Sequence, residues 1–122
     1  MNLYQDHILD HYHNPRHFGL LENPTYQAEA LNPTCGDKLT VSLKVEDTTV
    51  TAVGFECEGC AISIASASLL YDTLPGTKVV SLLEKEPSEV LSMLGLAISP
   101  GRMKCALLSL EALKKALRGK KE

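Results

Sequence analysis

The sequence predicts an α+β fold, a small three-stranded antiparallel sheet with helices packed on one face, and three observations carry that prediction. Leu39, Val41, Leu43 and Val45 alternate with Thr40, Ser42 and Lys44, the period of a strand with one buried face. Residues 49 to 56 are rich in β-branched side chains and follow a turn-like Glu46-Asp47-Thr48, so the two runs read as a hairpin. Met103, Ala106, Leu110, Leu113 and Leu117 recur at three- and four-residue steps, the stripe of an amphipathic helix. Strands come first and helices afterwards, which separates this class from folds that alternate the two. The 122 residues fit one domain over 1–122, with no internal repeat, low-complexity tract or linker.

The remaining elements follow in order. Residues 2 to 13 read as a helix with Tyr4, Ile8 and Tyr12 on one face and Leu9 beside them. Asn14-Pro15 ends it, and an irregular stretch runs to Pro24. Residues 26 to 31 form the third strand. After Gly59 a run of Ala and Ser with Ile62, Ile64, Leu69 and Leu70 suits a helix packed closely against a sheet, and Pro75-Gly76 breaks it. Short helices are expected at 78–85 and 88–96. Ser99-Pro100 reads as an N-cap followed by proline at the first position of the last helix, and Gly119 fits its end.

Composition narrows the function. The net charge of −3 gives no reason to expect nucleic-acid or membrane binding. Lys114, Lys115, Arg118, Lys120 and Lys121 gather where a helix end favours cations. No secretory signal and no membrane span is visible, so a cytoplasmic location is expected. Disulfides are rare there, and cysteine clusters more often serve metal or redox chemistry.

The four cysteines sit beside glycine, carboxylates or cations. Cys35 lies in Asn32-Pro33-Thr34-Cys35-Gly36-Asp37, Cys57 and Cys60 in Phe55-Glu56-Cys57-Glu58-Gly59-Cys60-Ala61-Ile62-Ser63, and Cys105 after Arg102-Met103-Lys104. Cys35, Cys60 and Cys105 fall at element ends, where side chains from distant segments meet. The helix N-terminus at Cys60 favours its thiolate. With Asp37 they offer three sulfurs and one oxygen, a tetrahedral set suited to zinc or iron. The carboxylate is the harder and weaker zinc ligand, so the site should exchange a ligand readily. The glycines beside Cys35 and Cys60 would let a partner or a cluster come close. A purely structural zinc site remains open; Cys57-x-x-Cys60 also resembles a thioredoxin-like redox pair, but that motif sits in a βαβ frame and none is read here. Cys57 points into the core if its strand runs that far. His7, His11, His13 and His17 read as solvated or packing residues, with His17 and Arg16 a candidate partner surface.

These motifs resemble one family. Asp10-His11-Tyr12 through Asn14-Pro15-Arg16, then Asn32 to Asp37, then Gly59-Cys60-Ala61-Ile62-Ser63 with Ala65-Ser66-Ala67-Ser68, then Arg102-x-Lys104-Cys105-Ala106 are similar to the U-type iron–sulfur assembly proteins: IscU, SufU and the N-terminal domain of NifU. The likeness runs from about residue 3 to 117. It implies a SufE/NifU-like sandwich, with Cys35, Asp37, Cys60 and Cys105 as ligands of zinc, iron or a [2Fe–2S] cluster. It implies a pyridoxal-phosphate cysteine desulfurase as partner, Cys35 as sulfur acceptor, and downstream assembly proteins or apo-proteins as recipients.

Two branches of the family differ at the last cysteine. IscU-like scaffolds carry histidine directly before it. Here that place is Lys104, which with Arg102 resembles SufU, a zinc protein that accepts sulfur from the desulfurase. Lys104 and Arg102 would then stabilise charge on the sulfur or dock the partner. The insertion usual in SufU-like chains is missing, since Cys60 and Cys105 are 45 positions apart, as in IscU. The Leu-Pro-Pro-Val-Lys segment that recruits an Hsp70-type chaperone to IscU is missing too; Leu74-Pro75-Gly76-Thr77-Lys78 only echoes it. Cys57 departs from the family pattern and is a possible extra thiol ligand. The expected function is SufU-like sulfur acceptance at a zinc site, a zinc-dependent sulfurtransferase activity. The alternatives are a non-enzymatic [2Fe–2S] scaffold and a structural zinc interaction module.

Overall fold

The computed structural model describes residues 3–33, 36–95 and 100–119. The order is α1 (Leu3–His13), β1 (Tyr26–Asn32), β2 (Asp37–Glu46), β3 (Thr49–Glu58), α2 (Ala61–Tyr71), α3 (Val79–Leu83), α4 (Pro87–Leu94), a 3₁₀ turn at Pro100–Arg102 and α5 (Met103–Arg118). The strands form one antiparallel sheet in the order β1-β2-β3. Asp47 and Thr48 join β2 to β3 with φ of 52° and 65°. Two left-handed residues give the turn whose twist matches a hairpin. A bulge at Lys44/Val45 lies just before it.

Strand period fixes one buried row. Val41 faces Ala28 and Phe55, Leu43 faces Tyr26 and Val53, and Leu39 faces Ala30 and Cys57. Leu39, Val41, Leu43 and Phe55 are fully buried. Extending the same rows by two residues reaches Asn32 on β1 and Asp37 on β2, which are cross-strand partners. The rim of the core face therefore ends in polar side chains.

Helix α5 lies on β1 and β2, with Ala106, Leu110, Leu113 and Leu117 buried. Helix α2 departs from expectation. Its small residues pack chiefly against α1 and α5, with only a lesser contact to β3. The reason is polar: Ser66 Oγ donates to the Ala106 carbonyl at 2.6 Å and lies 3.0 Å from Ser109 Oγ, and Tyr71 Oη donates to the Ser109 carbonyl at 2.8 Å. Because the Ser66 proton is committed to Ala106, the Ser109 hydroxyl donates to Ser66. Alanines beside these serines let the two helix backbones approach closely enough for such bonds.

The buried face of α1 also differs from the sequence reading. Ile8 and His11 are buried, while Leu9 and Tyr12 are exposed; the Tyr4 side chain lies outside the described residues. His11 Nδ1 lies 2.7 Å from Ser68 Oγ, which also accepts the Arg16 N–H at 2.8 Å. This polar anchor on α2 rotates His11 inward in place of Tyr12. The short helices are trimmed to Val79–Leu83 and Pro87–Leu94, the latter closed by a Glu86/Glu89 capping box and by Gly95 at φ 73°. Pro100 opens a 3₁₀ turn, so it is not the first residue of α5, whose N-cap is Arg102; Ser99 lies outside the described residues. No helix among the described residues is long and apolar enough to cross a membrane.

The outer edge of β3 is covered twice. Gly19 N–H donates to the Phe55 carbonyl at 2.7 Å, and Phe55 N–H to the His17 carbonyl at 3.0 Å. At the other end Val50 N–H donates to Thr77 at 2.9 Å, and Gly76 N–H to Val50 at 2.8 Å.

Candidate metal centre

Three element ends converge at the polar rim. Asp37 opens β2, Cys60 is the N-cap of α2, and Cys105 lies in the first turn of α5. One ligand atom from each lies within 4.8 Å of the others. A zinc ion with tetrahedral geometry holds two sulfurs about 3.8 Å apart, so the cluster needs to contract by only about 1 Å.

The donor set fits a cation. Asp37 is 4% exposed, and its Oδ2 is buried with no hydrogen-bond partner among the described residues. A buried carboxylate oxygen left without a partner costs about 2–5 kcal/mol, and a bound cation would offset that cost. Gly59 cradles the same carboxylate. A Cβ built there would stand 2.8 Å from Asp37 Oδ1 and 2.6 Å from Ser63 Oγ. The expectation that this glycine leaves room for a partner is thus corrected at Gly59, whose open side is filled by Asp37 from within the chain. Gly36, with φ 78°, has no atom within 4 Å of its would-be Cβ.

The two thiols near β3 have opposite characters. For Cys60, burial raises the pKa. The N–H and hydroxyl of Ser63, the Ile62 N–H and the Cys105 side chain outweigh it, so the net shift is downward. The sulfur sits at a helix N-cap without an ordinary cap hydrogen bond, and the converging N–H dipoles favour a thiolate. For Cys57, burial pushes the thiol up to about 11. Its strand does run through residue 57, and it stands on the core row opposite Leu39, packed against the core. It touches Ser63 Oγ at 4.0 Å but is not one of the three clustered groups.

Cys35 lies outside the described residues. Arg102 and Lys104 are exposed at the start of α5. Lys104 borders a groove with Leu31, Pro33, Met103 and Leu107, beside the cluster. Leu31 is 56% exposed there. No histidine joins the cluster among the described residues; His17 Nε2 pairs with Asp72 at 2.9 Å, and the adjacent Arg16 pairs with Asp10 at 2.7 Å. Two residues at the site carried no assigned role in the sequence, Asn32 and Ser63. Asn32 Nδ2 donates to Cys105 Sγ at 3.7 Å, and Ser63 Oγ lies 3.7 Å from Cys60 Sγ. Strand phase was the available signal for Asn32, since it continues the Ala28, Ala30 row.

Comparison with known proteins places this site in context. Residues 3–121 match the family model of the NifU-like N-terminal domain. The zinc-dependent sulfurtransferase SufU of Bacillus subtilis is 33% identical, aligned over 94% of this chain and 89% of its own. The iron–sulfur cluster assembly scaffold protein IscU of Thermotoga maritima is 35% identical, over 95% and 93%. Both alignments span 132 positions, more than the 122 residues of this chain, so each relative carries residues with no counterpart here. Among solved structures, the N-terminal NifU-like protein of Brucella abortus superposes with a TM-score of 0.78 at 25% identity, covering 95% of this chain and 92% of its own.

Proposed function

Because the chain belongs to the NifU-like N-terminal domain family of iron–sulfur cluster assembly proteins, we propose that it accepts sulfur from a cysteine desulfurase at a zinc site, in the manner named for SufU. One observation carries the reading: Asp37, whose buried Oδ2 has no hydrogen-bond partner among the described residues, clusters with two thiols at the N-termini of α2 and α5. Cys35, Asp37, Cys60 and Cys105 are the proposed ligands. Zinc, when bound, keeps the thiols as thiolates at neutral pH and shields them from oxidation.

Each residue then has a task. Asp37 is the exchangeable ligand, because a carboxylate binds zinc more weakly than a thiolate. Cys35 is the acceptor: its thiolate attacks the outer sulfur of the enzyme's persulfide, a new S–S bond forms on Cys35, and the enzyme's cysteine leaves as thiolate. Lys104 and Arg102, exposed at the start of α5, balance charge on the incoming sulfur. The place of action is the cytoplasm, and downstream assembly proteins or apo-proteins receive the product.

A second reading, a scaffold that holds a [2Fe–2S] cluster as cargo, is favoured by the short Cys60–Cys105 spacing. The extra aligned positions do not separate the two, since the SufU and the IscU relative both carry them. Desulfurase turnover of cysteine decides between them. Stimulation that requires zinc-loaded protein supports sulfur acceptance. No stimulation, with a cluster chromophore appearing when metal-free protein receives iron and sulfide, supports the scaffold. Cys35→Ala should fold normally and accept no persulfide sulfur; retained acceptance refutes its role.

A further inference from the structure

Asn32 closes β1 and is 3% exposed. Its two polar atoms are in unequal circumstances. Nδ2 donates to Cys105 Sγ at 3.7 Å, while Oδ1 is buried without a hydrogen-bond partner among the described residues. The acceptor of its donor half is the Cys105 sulfur, one of the three clustered groups. Against a metal-bound Cys105 thiolate, the opposite amide orientation would set the carbonyl oxygen on the sulfur, two acceptors together. Position is fixed by the sheet: Asn32 is the cross-strand partner of Asp37, and the Gly36 N–H donates to the Asn32 carbonyl at 2.8 Å. The residue thus binds one ligand through its side chain and another through strand pairing.

We propose that Asn32 is a positioning residue of the metal centre, whose side-chain amide donates an N–H hydrogen bond to the Cys105 sulfur and so sets both its place and its donor strength toward the bound ion. The inference rests on the reading that Asp37, Cys60 and Cys105 hold a metal. Partners just outside a metal's ligands orient those ligands and tune them, and hydrogen bonds to metal-bound sulfur lower its electron donation.

Cobalt(II) and zinc loading of the full chain tests it. Wild-type protein that takes up neither ion overturns the metal reading and this inference with it. Given uptake, Asn32→Leu should shift the sulfur-to-cobalt charge-transfer band to lower energy. It should also release zinc to a competing chelator about tenfold faster. A band and a release rate at the wild-type values overturn the inference while leaving the metal reading intact. A residue that only packs would lower the melting temperature of metal-free protein without moving the band. If Asn32→Leu does not fold, cadmium-113 loading of the wild type decides. An Asn32 side-chain proton coupled to the cadmium nucleus through the sulfur supports the bond, and an uncoupled one overturns it.

Discussion

Replacing Gly59 with alanine adds one methyl group beside the Asp37 carboxylate. That methyl would stand 2.8 Å from Asp37 Oδ1 and 3.0 Å from its Cγ, where ordinary contact begins at 3.4 Å. Relief requires a carboxylate shift of about 0.6 Å, because Gly59 is backbone-bound between β3 and α2. Ser63 Oγ, at 2.6 Å, can rotate aside; the buried Asp37 has little room to do so. Zinc already requires the cluster to contract by about 1 Å, and a carboxylate displaced and wedged by the methyl should close on the ion less well, weakening zinc binding roughly 10- to 100-fold. Overpacking should also cost the metal-free fold on the order of 1–2 kcal/mol, a fall of a few degrees in melting temperature. Chelator competition reads the first effect and calorimetry of the metal-free protein the second. Zinc affinity within about twofold of wild type would show that Gly59 is not the cradle of a metal-binding carboxylate.

Three further outcomes are expected. In metal-free protein at neutral pH, iodoacetamide should label Cys60 well before Cys57, because the Cys57 thiol ionises only near pH 11 while that of Cys60 is lowered; peptide mass spectrometry reads the order, and zinc content should survive Cys57→Ala. His11 is held below its ordinary 6.5 by burial first, then by Arg16 and His7. Its unfolded form therefore binds the proton more readily, and stability should drop as pH falls below about 6.5 toward the lower folded value. Urea midpoints should show this loss in wild type and a smaller one in His11→Gln. Thr48→Gly relieves a β-branched residue at φ 65° and should stabilise the hairpin by about 0.5–1 kcal/mol, seen as a higher melting temperature.

Much of the fold was legible because it rests on period. The alternation from Leu39 to Val45 set the sheet face, and the same phase carried back two residues places Asp37 on it. The stripe from Met103 to Leu117 set α5. What period could not show was which helix lies on the sheet. Ala and Ser in α2 signalled close approach, but the partner is α5, chosen by the Ser66, Ser109 and Tyr71 hydrogen bonds. Nor does a helical wheel foresee His11 displacing Tyr12, since that depends on Ser68, 57 residues away. At the site, residue types singled out Asp37, Cys60 and Cys105, which the fold brings together, while the Gly59 cradle and the Asn32 amide appear only once three chain segments meet.

The covered edge of β3 has a consequence for how other proteins approach. His17 and Gly19 occupy one stretch of it, and residues 76–79 another. On the opposite side Lys115 Nζ donates to the Glu29 carbonyl of β1 at 2.8 Å. A bare strand invites any extended peptide to join the sheet, whatever its sequence. A protein that must select its partners would pay heavily for such indiscriminate company. By keeping these stretches occupied, the chain narrows the β3 backbone that it offers to a visiting strand.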